Sequence, residues 1–75
     1  MILPSKHISE EQALLGVGAV LLRNLEQPQT VTSLWDRVRD VRYVGTYGRF
    51  VLALDLLHII GVINFFQGML RREAP

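Results

Sequence analysis

From Phe50 to Gly61 the chain reads FVLALDLLHIIG, an apolar run broken only by Asp55 and His58 and closed by glycine. A segment this apolar must leave water, either into a bilayer, into a protein core or against a partner, and its destination limits every other element. The bilayer is the poorest choice. Even extended to Phe66, the run barely reaches the length that crosses roughly 30 Å of hydrocarbon. Asp55 would then sit near the middle, at a cost of about 2.5–3.5 kcal/mol. The N-terminal MILPSKHISEEQ places Pro4 and charged residues ahead of any long apolar run, which is not the order of a secretory signal. No membrane partner is expected. The lack of cysteine suits a reducing cytoplasm.

As a helix, the run sorts itself into two faces. A helix from Tyr47 to Ile60, with Gly61 as a left-handed stop, gathers Phe50, Ala53, Leu54, Leu57 and Ile60 on one side when projected at about 100° per residue. That side is the expected core stripe. The other carries Val51, Leu52, Asp55, Leu56, His58 and Ile59.

The preceding segments read as two more helices. Ser9, Glu10, Glu11 and Gln12 form a capping-box pattern that opens a helix running to about Leu25 and ending before Pro28. Leu14, Leu15, Gly18, Leu21, Leu22 and Leu25 supply its apolar stripe, and Ala13, Gly16, Val17, Ala19 and Val20 leave the back small and apolar where Lys and Glu are usual. Gln29 to Val31 suits a short extended piece. Thr32 is the expected N-cap of a helix from Ser33 to Arg42, with Leu34, Trp35, Val38 and Val41 inward and Asp36, Arg37, Arg39, Asp40 and Arg42 outward. Tyr43 to Gly48 is a connection.

After Gly61, VINFFQGMLRR predicts a hairpin turning at Gln67-Gly68, with glycine supplying positive φ. The register sets Phe65 opposite Leu70 and Ile63 opposite Arg72, with Phe66 and Met69 turned the other way at the tip. Helix, helix, helix, hairpin is the order of a winged helix, the Gln29 to Val31 piece standing in for its small third strand. The fold class is therefore mostly α with a small β-hairpin, a winged-helix-like three-helix domain. A single domain over residues 1–75, with residues 1–8 as an extended N-terminal arm, is expected. A plain three-helix bundle is the alternative, and only the hairpin separates the two.

At 75 residues the chain is a small domain; domains of roughly 60 residues bury only about 60% of the surface their unfolded chains expose and commonly rely on disulfides, a metal or a partner. With no cysteine and only His7 and His58, neither disulfides nor a closed zinc site is available. The 49% hydrophobic content is high for so small a domain, so a partner surface is the remaining support.

Function classes narrow in the same way. A net charge of +1 is too weak for a dedicated nucleic-acid binder, and the third helix has no lysine on its outer side, where a carboxylate would repel phosphate. Asp55 and His58 have the spacing of an acid–base pair, but no nucleophile, metal set or phosphate loop accompanies them, so no enzyme and no cofactor is expected. The expected partner interface is Val51, Leu52, Asp55, Leu56, His58 and Ile59 on the third helix, with Gly16, Val17 and Val20 on the back of the first. The competing class is a small winged-helix transcriptional regulator touching DNA through Arg37, Arg39, Arg42, Arg71 and Arg72.

The order LPSKHI, ALLGVGA, TVTSLWDRVR, FVLALDLLHIIGVI and QGMLRR resembles the middle components of bacterial ABC-three-component systems, in particular the sixth type. LPSKHI and FVLALDLL are the most specific of these blocks. The resemblance covers nearly the whole chain and carries no catalytic motif. It implies a non-enzymatic adaptor subunit acting with a chromosome-maintenance-like ATPase and an effector component in a system that defends against phage or plasmids. Binding to a second copy of itself is a further expectation, and any DNA contact is expected to be indirect or weak.

Overall fold

The computed structural model describes residues 10–73. They form α1 (Glu10–Asn24), α2 (Val31–Val38), α3 (Tyr47–Ile59), β1 (Ile63–Phe66) and β2 (Met69–Arg72). The hairpin is present, which removes the plain three-helix bundle and leaves the winged-helix-like architecture. The Ser9 cap and the arm at residues 1–8 lie outside the described residues.

α1 is turned about its axis relative to the sequence expectation. Its buried residues are Val17, Gly18, Val20 and Leu21, with Leu25 buried just past its end, whereas Leu15 is half exposed. The cause lies in α3: Leu57 packs over Gly18, where an added Cβ would stand 3.0 Å from Leu57 Cδ2. Glycine at that point lets α3 come close, and the neighbouring Val17 and Leu21 then fall into the core.

α2 begins two residues earlier than expected. Thr30, not Thr32, is its N-cap, with Oγ1 accepting a hydrogen bond from the Ser33 amide at 3.0 Å. Gln29 decides this. Its amide donates to the Leu70 carbonyl at 3.0 Å and its carbonyl accepts from the Leu70 amide at 2.7 Å, so the chain is pinned extended up to Thr30. The expected third strand is thus a single bridge. The Gln29 side chain, itself buried, donates to the Asn24 carbonyl at the end of α1 and accepts from Ser33 Oγ in α2, both at 2.9 Å. One residue ties α1, α2 and β2 together and leaves its own polar atoms satisfied.

α2 also ends early, at Val38 rather than Arg42. The Val41 amide bonds to the Val38 carbonyl and the Val44 amide to the Val41 carbonyl, two successive tight turns that swing Val44 into the core. Thr46 then caps α3 through its Oγ1, which accepts from the Arg49 amide at 3.2 Å.

α3 ends in a Schellman motif. The Val62 amide donates to the Leu57 carbonyl at 3.1 Å and the Gly61 amide to the His58 carbonyl at 3.0 Å, with Gly61 at φ +84°. The chain reverses directly into β1. β1 pairs antiparallel with β2 as Ile63–Arg72, Asn64–Arg71, Phe65–Leu70 and Phe66–Met69, which is the expected register. Gln67 and Gly68 both have positive φ, as a type I′ turn requires.

The core sits where α1 and α3 meet and closes under the hairpin. Val17, Leu21, Leu25, Leu34, Val38, Val44, Phe50, Ala53, Leu54 and Leu57 fill it, with Ile63 and Leu70 contributed by the strands. Ile60 departs from the core stripe expected for α3: it is the C-cap residue and is 53% exposed. Trp35, Tyr47 and Phe50 pack edge-on or tilted at centroid distances of 5.1–5.6 Å and join α2 to the start of α3.

Candidate functional site

With Phe50, Ala53, Leu54 and Leu57 committed to the core, the rest of α3 has two faces free. The first is a stripe at i, i+4 and i+7: Leu52 is 51% exposed, Leu56 is half-buried and Ile59 is 79% exposed. Ile60 extends it at the helix end. It lies opposite the core, so α3 is apolar on both sides. A helix of that kind normally has protein on both sides.

The second face borders a groove of about 330 Å³ between α3 and the hairpin. Val51, Leu54, Asp55 and His58 form its helix wall, and Ile63, Asn64, Phe65 and Leu70 form its sheet wall. Tyr47 and Val31 complete the lining. The lining is largely apolar. Among the described residues, Asp55 is its only acidic member, and no lysine or arginine lines it.

The third-helix residues expected at an interface are therefore all outside the core, but on two surfaces rather than one. Leu52, Leu56 and Ile59 belong to the stripe, and Val51 and His58 to the groove. Asp55 sits between. Both Asp55 and His58 are exposed, and no hydrogen bond joins them.

The first-helix part of the expected interface requires correction. Val17 is 0% and Val20 7% exposed, so both are core residues and cannot meet a partner. Gly16 is half-buried beneath the Tyr43 ring, and an added Cβ there would overlap the ring, at 2.6 Å from Cε2 and 2.8 Å from Cζ. Gly16, Val17 and Val20 are thus covered from within the fold, whereas Ala19 remains exposed. The groove itself had no signature in the sequence, since Tyr47, Val51, Asp55 and Phe65 come together only when the hairpin folds back over α3.

Arg37, Arg39, Arg42, Arg71 and Arg72 are all exposed. Arg39 lies 3.8 Å from Asp36 and over the Trp35 ring at 5.7 Å, so part of its charge is used locally. Arg71 lies over Phe66 at 5.3 Å, and Arg72, the next residue of β2, points to the opposite face of the hairpin. The strand pair does not align its two arginines along one backbone path.

The profile of ABC-three-component (ABC-3C) system middle component 6 matches residues 3–72. The chain belongs to that family. The match spans the three helices and the hairpin through β2. Neither a curated protein nor a solved structure matches the chain. As a middle component, the protein works with other components of an ABC-three-component system. Among the described residues, no helix is long and apolar enough to cross a membrane.

Proposed function

We propose that this middle component is a non-enzymatic adaptor of a cytoplasmic, ATPase-containing bacterial defence complex directed at phage or plasmids. It docks on larger protein subunits, a chromosome-maintenance-like ATPase and an effector component, through the outer stripe of α3. The observation that carries the reading is the exposed Leu52–Leu56–Ile59 stripe opposite a core that is already complete. Covering the exposed parts of Leu52 and Ile59 contributes about 3 kcal/mol, a useful share of a subunit contact.

The stripe favours a different protein over a second copy. In a two-fold pairing of α3 with itself, the residues midway along the stripe face their own copies. Midway between Leu52 and Ile59 are Asp55 and Leu56, so two Asp55 carboxylates would confront each other. A heterologous partner with Lys or Arg at that point turns the same carboxylate into an orienting contact.

Leu52→Glu with Ile59→Glu tests this. Both positions are exposed, so the domain keeps its fold, while two carboxylates enter an apolar contact. Co-expression with the ATPase and effector subunits should show loss of co-purification with at least one of them. Undiminished recovery of the complex refutes the assignment.

A further inference from the structure

We infer that the outer face of α1 is a self-association surface, on which a second copy of this chain lays its own α1 antiparallel across a two-fold axis level with Val17. This face is separate from the outer stripe of α3, so the inference is independent of the adaptor reading.

The rotation of α1 creates the surface. With Val17, Val20 and Leu21 turned into the core, Leu15 is left 50% exposed and Ala19 exposed, and Leu22, at the margin of the core, is only half-buried. Together with the exposed Gln12 they follow a spacing of three, four and three residues, the seam of a helix that pairs with another helix. Tyr43 broadens the patch along one flank, because its ring lies on Gly16 and is itself 47% exposed. No charged residue falls between Gln12 and Arg23.

Size and charge select the same pairing. An axis level with Val17 sets Leu15 of each copy opposite Ala19 of the other, so the bulky side chain meets the small one twice. The same axis brings Arg23, in the last turn of α1, level with position 11 in the first turn of the other copy, which is a glutamate. Unlike charges then mark both ends of the seam, and the two helix dipoles oppose. A parallel pair would instead set Leu15 against Leu15 and Arg23 against Arg23. The outer stripe of α3 lacks this self-complementarity, because Asp55 stands at its midpoint where α1 has only apolar residues. Five side chains from each copy, against about 20–30 residues a side in a stable interface, make the dimer reversible. Its Kd is expected at about 0.1–1 mM.

Sedimentation equilibrium of the full chain, up to about 1 mM, should show a monomer–dimer equilibrium. Ala19→Glu brings two new carboxylates close to the axis from an exposed position and should weaken the dimer at least about tenfold, with far-UV circular dichroism and Trp35 fluorescence unchanged. The Leu52→Glu, Ile59→Glu protein should dimerise as the parent does, so loss of the subunit contact and loss of self-association read out separately. Direction is read by disulfide exchange, because the chain has no cysteine of its own. When Leu15→Cys and Ala19→Cys chains are mixed in a thiol buffer, the disulfide between positions 15 and 19 should exceed the two symmetric ones by more than its statistical share, as weighed by mass spectrometry. A chain that stays monomeric at about 1 mM, an Ala19→Glu protein that dimerises undiminished, a dimer lost in the α3 variant instead, or an excess of symmetric disulfides overturns the inference.

Discussion

Gly61 separates backbone strain from packing unusually well. It holds φ +84° at the end of α3, and a Cβ built on it meets no atom within 4 Å. Gly61→Ala therefore creates no clash and keeps the amide that bonds to the His58 carbonyl. What remains is the cost of holding an L-residue in the left-handed region, roughly 1–2 kcal/mol. Alanine also stiffens the unfolded chain, which offsets about 0.4–1 kcal/mol of that cost. The net loss is about 1 kcal/mol, which in a domain of this size lowers Tm by roughly 4–8 °C. D-alanine at the same position adopts positive φ without penalty and keeps the unfolded-state gain, so it should raise Tm by a few degrees. Chemically synthesised chains carrying Gly, L-Ala or D-Ala, melted while following far-UV circular dichroism and the fluorescence of Trp35, make the comparison. If D-Ala destabilises as much as L-Ala, space rather than φ controls this turn and the reasoning is wrong. If L-Ala is neutral, the left-handed stop is not present in solution. Because this turn sets the angle between α3 and β1, the same three chains report on the groove.

Gly18→Ala presents the opposite balance. Helix propensity favours alanine by about 1 kcal/mol, but the new methyl would sit 3.0 Å from Cδ2 of the buried Leu57, and overpacking costs about 1–3 kcal/mol. A fall in Tm is expected, and a rise would show that α1 and α3 are less tightly apposed. For nucleic acid, fluorescence anisotropy with labelled duplex should show no binding tighter than the non-specific range of about 10⁻⁴–10⁻⁶ M at physiological salt. Submicromolar binding lost in Arg37→Ala, Arg39→Ala, Arg42→Ala would restore the DNA-binding class.

What could be read in advance depended on local information. The hairpin register follows from Gln67-Gly68 and two-residue alternation, and the α3 stop follows from a glycine after an apolar run. Both rules operate over a few residues. The start of α2 is not fixed locally, because Thr30 and Thr32 are equally good caps by themselves. Only the pairing of Gln29 with Leu70, far along the chain, selects Thr30. Ile60 has the right phase for the core, but the helix ends beneath it, so phase ceases to indicate direction.

The sequence by itself determined that α3 would be apolar on more than one side, since Leu52, Leu56 and Ile59 cannot share a helix face with Phe50 and Leu57. It also determined the hairpin and the lack of a cationic reading face on α3. Tertiary structure alone decided which apolar surface stays outside. α1 and α3 approach through Gly18, and that contact turns α1 until Val17 and Val20 are buried. The same packing brings the hairpin beside α3 and opens the groove at Asp55. Helical periodicity specifies the angle between residues on one element, whereas the rotation of that element against its neighbours is set by which side chains can interlock across the core.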